Sequence, residues 1–269
     1  MENGVSSLRP TTFDPAAYWR ERLVSLPSLA ATGTRPFGLE YQPYLYRLKE
    51  AALRRALRGE RRMLSGASVL NVGCGWGYFE PVFASWGARQ VMGVDFVPES
   101  VASLRESRPE FEYAWADISQ QISGELANRQ FDVVSAIDML YHIVDDAAFD
   151  QAVQNLCTLC RPNGGLLIWT DAPNRSHDPN HPHCRYRPWS AYERIFAAYG
   201  VRMLRATPMY CLFDHYWRWS ELAARYSGWT YPAMYAIDRV VAPFGLRRSA
   251  NWCAIAIRTD TTSGTKGDA

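Results

Sequence analysis

Between Ser68 and Thr170 the chain repeats one rhythm: a short apolar run, a turn, then a stretch with helical spacing. The runs are Ser68–Val72, Gln90–Asp95, Glu112–Ala116, Phe131–Ile137 and Leu166–Thr170, and the helical stretches between them include 77–87, 98–107 and 146–161. This alternation denotes βαβ units, whose crossover helices cover a parallel sheet on both faces. An α/β fold is therefore expected, with one sheet and one sizeable core in a chain of 269 residues that is 48% hydrophobic.

The flanks depart from the rhythm. From Phe13 to Gly59 the pattern is helical, with Asp14 and Pro15 suited to a helix start and a second amphipathic helix in "PYLYRLKEAALRRALRG". Residues 1–60 are expected to form a helical lid, 61–207 with 251–259 the core, and 260–269 a disordered tail. A helix is expected from near Ser190 and strands at Val201–Thr207 and "WCAIAIRT". Residues 208–250, dense in aromatics, read as a second piece of lid between the last two strands, whose aromatic stripe lines a cavity, packs the lid onto the sheet, binds a second subunit in a homodimer or faces a membrane.

Formal charge is +2, with basic and acidic residues interleaved, so the basic footprint of a nucleic-acid binder is missing and a small or uncharged partner is expected. No apolar stretch reaches the roughly 18 to 20 residues of a membrane span, and the first 25 residues lack a signal peptide's apolar segment. A cytoplasmic protein without a membrane partner is expected; Arg218, Arg225 and Arg239 are too few for a polybasic anchor. The six cysteines lie in apolar segments, and the CxxC of Cys157 and Cys160 falls inside a helical pattern, which favours core packing over metal or redox chemistry.

The chemistry starts at "VLNVGCGWGYF" (69–79). Gly73 and Gly75 let the backbone turn sharply and approach a ligand that any Cβ would obstruct. A Walker loop would end in Gly-Lys-Ser/Thr, and a dinucleotide loop would space its glycines GxGxxG; this one reads GxGxG and ends in Gly77, Tyr78 and Phe79. Asp95 ends the second run, where a carboxylate accepts from both hydroxyls of a ribose, and Asp117 ends the third, where it can accept from an adenine amine. Together they describe an adenosine site without a phosphate site.

On these residues the chain resembles the class I S-adenosylmethionine-dependent methyltransferases. "VLNVGCGWGYF" matches the family's glycine motif, "VMGVDF" its ribose motif, "WADI" its adenine motif, "FDVVSAIDMLYHIVD" its fourth-strand motif and "LCRPNGGLLIWTD" the turn into the fifth strand. The resemblance implies a Rossmann-like, seven-stranded, mostly parallel sheet whose last strand is antiparallel. It implies S-adenosylmethionine as cofactor, with Asn71, Gly73, Cys74, Gly75, Gly77, Asp95, Phe96, Asp117, Ile118 and Asp138 around it. The family usually carries Asp or Glu where this chain has Asn71, so weaker cofactor binding is expected.

Methyl transfer to oxygen is helped by a base, most often histidine. His142, after the fourth strand, and His183, close to the helix start near Ser190, are the candidates. His177, His181, Asp171, Asp178 and Cys184 share with His183 the loop after the fifth strand, which leaves a divalent metal or plain solvated residues as other readings. Tyr18, Tyr141, Tyr210, His215 and Trp217 are candidate acceptor contacts. The expected activity is methylation of a hydroxyl on a small molecule; N- or C-methylation, or a non-methylating cyclase on the same fold, are the alternatives.

Overall fold

A computed structural model describes residues 13–26, 31–32, 40–176, 181–213, 222–223, 227–244 and 251–259. The strands are β1 (Ser68–Val72), β2 (Gln90–Asp95), β3 (Glu112–Trp115), β4 (Val133–Ala136), β5 (Gly165–Asp171), β6 (Val201–Pro208) and β7 (Trp252–Arg258). They form one sheet in the order β3-β2-β1-β4-β5-β7-β6, in which β7 runs antiparallel to both its neighbours. The chain first builds outward from β1 through β2 to β3, then returns to place β4 on the other side of β1. That reversal opens a crevice beyond the carboxyl ends of β1 and β4, where ligands of such sheets bind.

The described helices are α1 (Pro15–Ser25), α2 (Gln42–Ala56), α3 (Phe79–Ser85), α4 (Pro98–Ser107), α5 (Asp146–Leu159), α6 (Trp189–Phe196) and α7 (Thr230–Val241). Asp14 caps α1 by accepting from the N–H groups of Ala16 and Ala17 at 2.9 and 3.2 Å. α3 is shorter than its apolar pattern because Gly77 and Gly87, at φ of 69° and 99°, hold left-handed turns at its ends. The fourth strand is also shorter than expected: Phe131 makes only a single bridge, to Cys160.

Alternate residues of each strand feed two cores. Val69, Val133 and Ile255 face a cluster with Leu48 and Leu53 of α2, Phe83 of α3 and Tyr231 of α7. Leu70, Val134 and Ala254 face Phe149 and Val153 of α5 and Tyr192 of α6. α2, expected in the N-terminal helical lid segment, packs in the first core, and Met209, Tyr210 and Phe213 of the insertion are buried in that same cluster. The insertion is tied down by Asp238, which accepts from the N–H groups of Cys211 and Leu212 at 2.9 Å and of Phe213 at 3.1 Å.

Cys157 and Cys160 are buried in the second core, where burial pushes both thiols up to about 12. No described helix is long and apolar enough to cross a membrane. The tail 260–269, and His177, Asp178, His215 and Trp217, lie outside the described residues.

Candidate functional site

The loops after β1, β2, β3 and β4 meet in a cavity of about 350 Å³. Gly73 and Gly75 sit at φ of 71° and 54°. A Cβ on Gly73 would lie 2.7 Å from the Cβ of Met139, and one on Gly75 2.7 Å from Thr32, so close packing and left-handed backbone both require glycine. Asp95 is buried at the end of β2 and accepts from the N–H of Gly75 at 2.9 Å and of Val97 at 3.1 Å. Burial pushes its carboxyl up, and these N–H groups oppose the shift.

Gly73, Cys74, Gly75, Asp95 and Phe96 line the cavity, and Asp117, Ile118, Asp138 and His142 complete it. Asp117 holds the β3 loop with one oxygen, Oδ1, which accepts from the N–H and hydroxyl of Ser119 at 2.9 and 2.7 Å. Neighbouring walls come from Trp19 of α1 and from Tyr46 and Lys49 of α2.

Several expected residues lie elsewhere. Asn71 is not in the cavity wall: on β1 its side chain points opposite to that of Val72, donating from Nδ2 to Oε1 of the buried Glu80 at 2.8 Å. Gly77 is likewise absent from the wall; it leaves room for Leu104, which a Cβ there would approach to 2.8 Å. Tyr210 is buried in the core under α2, and Tyr141 packs between His142 and Tyr186 at 4.4 and 5.3 Å. Tyr18 stacks on His183 at 4.9 Å, leaving the wall to its neighbour Trp19.

His183 is also outside the wall, and it contributes through its backbone. Its carbonyl lies 2.9 Å from Nδ1 of His142. A carbonyl only accepts, so Nδ1 carries the proton and Nε2 keeps a lone pair on a ring that lines the cavity. Burial pulls the His142 imidazole down to about 3, outweighing the hydrogen bond to His183, so the ring is neutral at physiological pH. Asp171 turns away to accept from the Tyr192 hydroxyl, and burial pushes its carboxyl up to about 6. Among the described residues no three His, Cys, Asp or Glu side chains converge on a metal site.

The sequence reading missed Lys49. It reaches the cavity from α2 and pairs with Asp138 at 2.5 Å, with the two side chains 4% and 14% exposed. One signal was available: lysine occurs only twice in this arginine-rich chain, and Lys49 falls on the apolar side of its helix. Trp76, inside the glycine loop, was also passed over; its buried indole N–H has no hydrogen-bond partner among the described residues and belongs to a cavity-lining residue.

The cavity thus offers a backbone cradle closed to any Cβ, an orphan donor, one lysine and five aspartates (14, 95, 117, 138 and 145). Such an acidic wall suits a ligand carrying positive charge, and the cradle suits an adenosine moiety. Residues 41–206 match the model of a family described as a methyltransferase domain. The chain belongs to that family, and its fold is that of the class I S-adenosylmethionine-dependent methyltransferases. It is 34% identical over 113 residues to the ubiquinone biosynthesis O-methyltransferase of Stutzerimonas stutzeri, a match covering 41% of this chain and 47% of that one. The chain therefore aligns with under half of that relative's length. In fold it is similar to the N-methyltransferase NodS of Bradyrhizobium japonicum in complex with S-adenosylhomocysteine, with a TM-score of 0.56 and 15% identity over 90% of this chain and 98% of the other. The cyclase SpnF is similar too, with a TM-score of 0.58 and 19% identity over 93% and 97%.

Proposed function

We propose that this protein transfers a methyl group from S-adenosylmethionine to a hydroxyl of a small molecule. The observation that carries the reading is His142, a neutral imidazole whose Nδ1 proton is committed to a carbonyl and whose Nε2 is left as a base in the cavity wall. The relative named an O-methyltransferase supports the same choice of atom.

Bound, the cofactor supplies an electrophilic methyl on a sulfonium. Asp95, with the lone pairs that Gly75 and Val97 leave free, would hold the ribose hydroxyls, and Asp117 would hold the adenine amine. Lys49 would attract the carboxylate of the methionine part and Asp138 its ammonium. Trp19, Tyr46, Tyr78 and Phe79 give the cavity apolar surface for the acceptor and keep water from the reacting pair. His142 Nε2 would take the acceptor hydroxyl's proton, which becomes strongly acidic as the oxygen is methylated and the methyl–sulfur bond breaks, so a weak base suffices.

The test is formation of S-adenosylhomocysteine with a panel of phenolic and aliphatic hydroxyl acceptors, followed by mass spectrometry. Bound cofactor with no turnover on any hydroxyl would shift the reading to nitrogen or carbon acceptors, or to a non-methylating role. Asp95→Ala removes the ribose contact and strands two N–H groups, so cofactor affinity should fall by about 1.5–3 kcal/mol, roughly 10- to 150-fold, in calorimetric titration. An unchanged dissociation constant would displace the adenosine site. His142→Ala should lower kcat by about 10²–10⁴-fold while leaving the cofactor Kd intact. The wild-type rate should show no histidine titration near its ordinary pKa of about 6.5, because the ring is already neutral there.

A further inference from the structure

A second cleft, of about 440 Å³, opens at the other end of the sheet, at the amino ends of the four neighbouring strands β2, β1, β4 and β5. Three arginines line it, each from a turn that leads into a strand: Arg62 before β1, Arg89 before β2 and Arg161 before β5. The turns are tight. Gly66, Asn163 and Gly164 take φ of 73°, 61° and 109°, and a Cβ on Gly66 or Gly164 would meet nothing, so the backbone there borders open space. Ser65 and Asn163 line the same cleft, and neither side chain is hydrogen-bonded among the described residues.

Charge decides what such a cleft can hold. Among its described lining residues the one carboxylate is Asp132, and that group is spent: Oδ2 accepts from the Ser68 N–H and hydroxyl, both at 2.8 Å, and Oδ1 pairs with Arg161. Burial acts to raise its pKa, but Ser68 and Arg161 outweigh burial and hold the carboxyl below its ordinary value, so Asp132 stays ionised. It balances Arg161 alone. The guanidinium groups of Arg62 and Arg89 form no ion pair or hydrogen bond among the described residues, and Glu60, two residues before Arg62, is taken by Arg205 at 2.9 Å. Two unmatched positive charges on one concave surface repel each other until an anion sits between them. A guanidinium fork fits two phosphate oxygens at once, which makes a phosphate group the anion best matched to arginine.

We propose that this cleft binds a small anion carrying phosphate groups, with Arg62 and Arg89 holding its oxygens and Ser65 and Asn163 donating from the rim. A formal charge of +2 over the whole chain provides no basic face on the scale of a nucleic acid, so the occupant is a small molecule. The site lies at the opposite strand ends from the acidic cavity and does not depend on the methyl transfer proposed above.

Calorimetric titration of the full chain with pyrophosphate, with and without saturating S-adenosylhomocysteine, tests it. Wild type should bind at one site under both conditions, more weakly as salt rises. The double variant Arg62→Gln, Arg89→Gln should bind about tenfold or more weakly, the scale of lost charged hydrogen bonds. Arg61→Gln, which removes an exposed neighbour outside the cleft, should bind like wild type. Arg62 and Arg89 are exposed, so the double variant should keep the wild-type thermal midpoint and affinity for S-adenosylhomocysteine. Ribose 5-phosphate and orthophosphate, titrated in parallel, separate an esterified occupant from the free ion, and binding of either that the double variant weakens supports the cleft. No binding of any of the three by wild type, an unaffected double variant, or an equal loss in Arg61→Gln would overturn the proposal. So would binding that S-adenosylhomocysteine abolishes, since the anion would then occupy the cavity.

Discussion

Replacing Asn71 with aspartate, the kind of residue the methyltransferase family usually has at this position, will destabilise this protein by about 1–3 kcal/mol at pH 7. Asn71 Nδ2 donates to Glu80 Oε1 at 2.8 Å, and its Oδ1 accepts from the Ser135 hydroxyl at 2.9 Å. All three side chains are buried. Burial pushes the Glu80 carboxyl up to about 7, with Asn71 and Arg108 pulling the other way. An aspartate would replace the donor with a second carboxylate, and two buried carboxylates in contact cannot both ionise. Glu80 already holds about half a proton at pH 7 in the wild type, so the added deficit is that of a buried group left without its hydrogen bond, about 1–3 kcal/mol. The shared proton then leaves at a pH above the unfolded values, so the deficit is greatest at pH 8 and shrinks as pH falls toward 5. Denaturant unfolding at the two pH values measures it. The exchanged pair Asn71→Asp, Glu80→Gln restores one donor and one acceptor and should recover most of the loss. A single Asn71→Asp variant as stable as wild type at pH 8 would refute this account.

This position shows where a linear motif stops informing. Asn71 sits within the glycine motif, but strand pleating turns its side chain away from the cavity, and the carboxylate beside it arrives from α3, nine residues later. Gly73, Gly75, Asp95 and Asp117 were legible because each is fixed by its own strand end, and the βαβ rhythm places those ends together. Lys49 was not legible as a cavity residue because its place depends on how α2 docks on the sheet. His142 and His183 were both candidates from the sequence; backbone geometry separates them, giving the cavity ring to His142 and the carbonyl to His183. In the insertion, aromatic density alone could not separate a cavity wall from a core, since both want large apolar side chains; Tyr210 turned out to be core.

Lys49→Met should cost about 3–5 kcal/mol of stability, because it leaves Asp138 buried and unpaired. The carboxylate is fixed: Asp138 takes a left-handed φ of 54°, its N–H donates to the Thr170 hydroxyl at 2.6 Å, and that hydroxyl donates back to Oδ1 at 2.8 Å. Burial disfavours both charges, yet the attraction between them wins, holding the Asp138 carboxyl below and the Lys49 ammonium above their ordinary values. In wild type, Asp138 therefore adds stability above its unfolded pKa, which is lost only as pH falls through its lower folded value. Without Lys49 the sign reverses: Asp138 rises above its unfolded pKa, and the variant should be relatively more stable at pH 5 than at pH 8. Structural and binding roles separate in the double variant Lys49→Met, Asp138→Asn. With no unpaired charge left, its stability should return to within about 1 kcal/mol of wild type. Its affinity for S-adenosylhomocysteine should stay at least about tenfold weaker, the scale of a lost charged hydrogen bond, whereas affinity for adenosine, which lacks the amino-acid part, should be unchanged. Recovery of both affinities would make the pair purely structural, and loss of both would move the adenosine site itself.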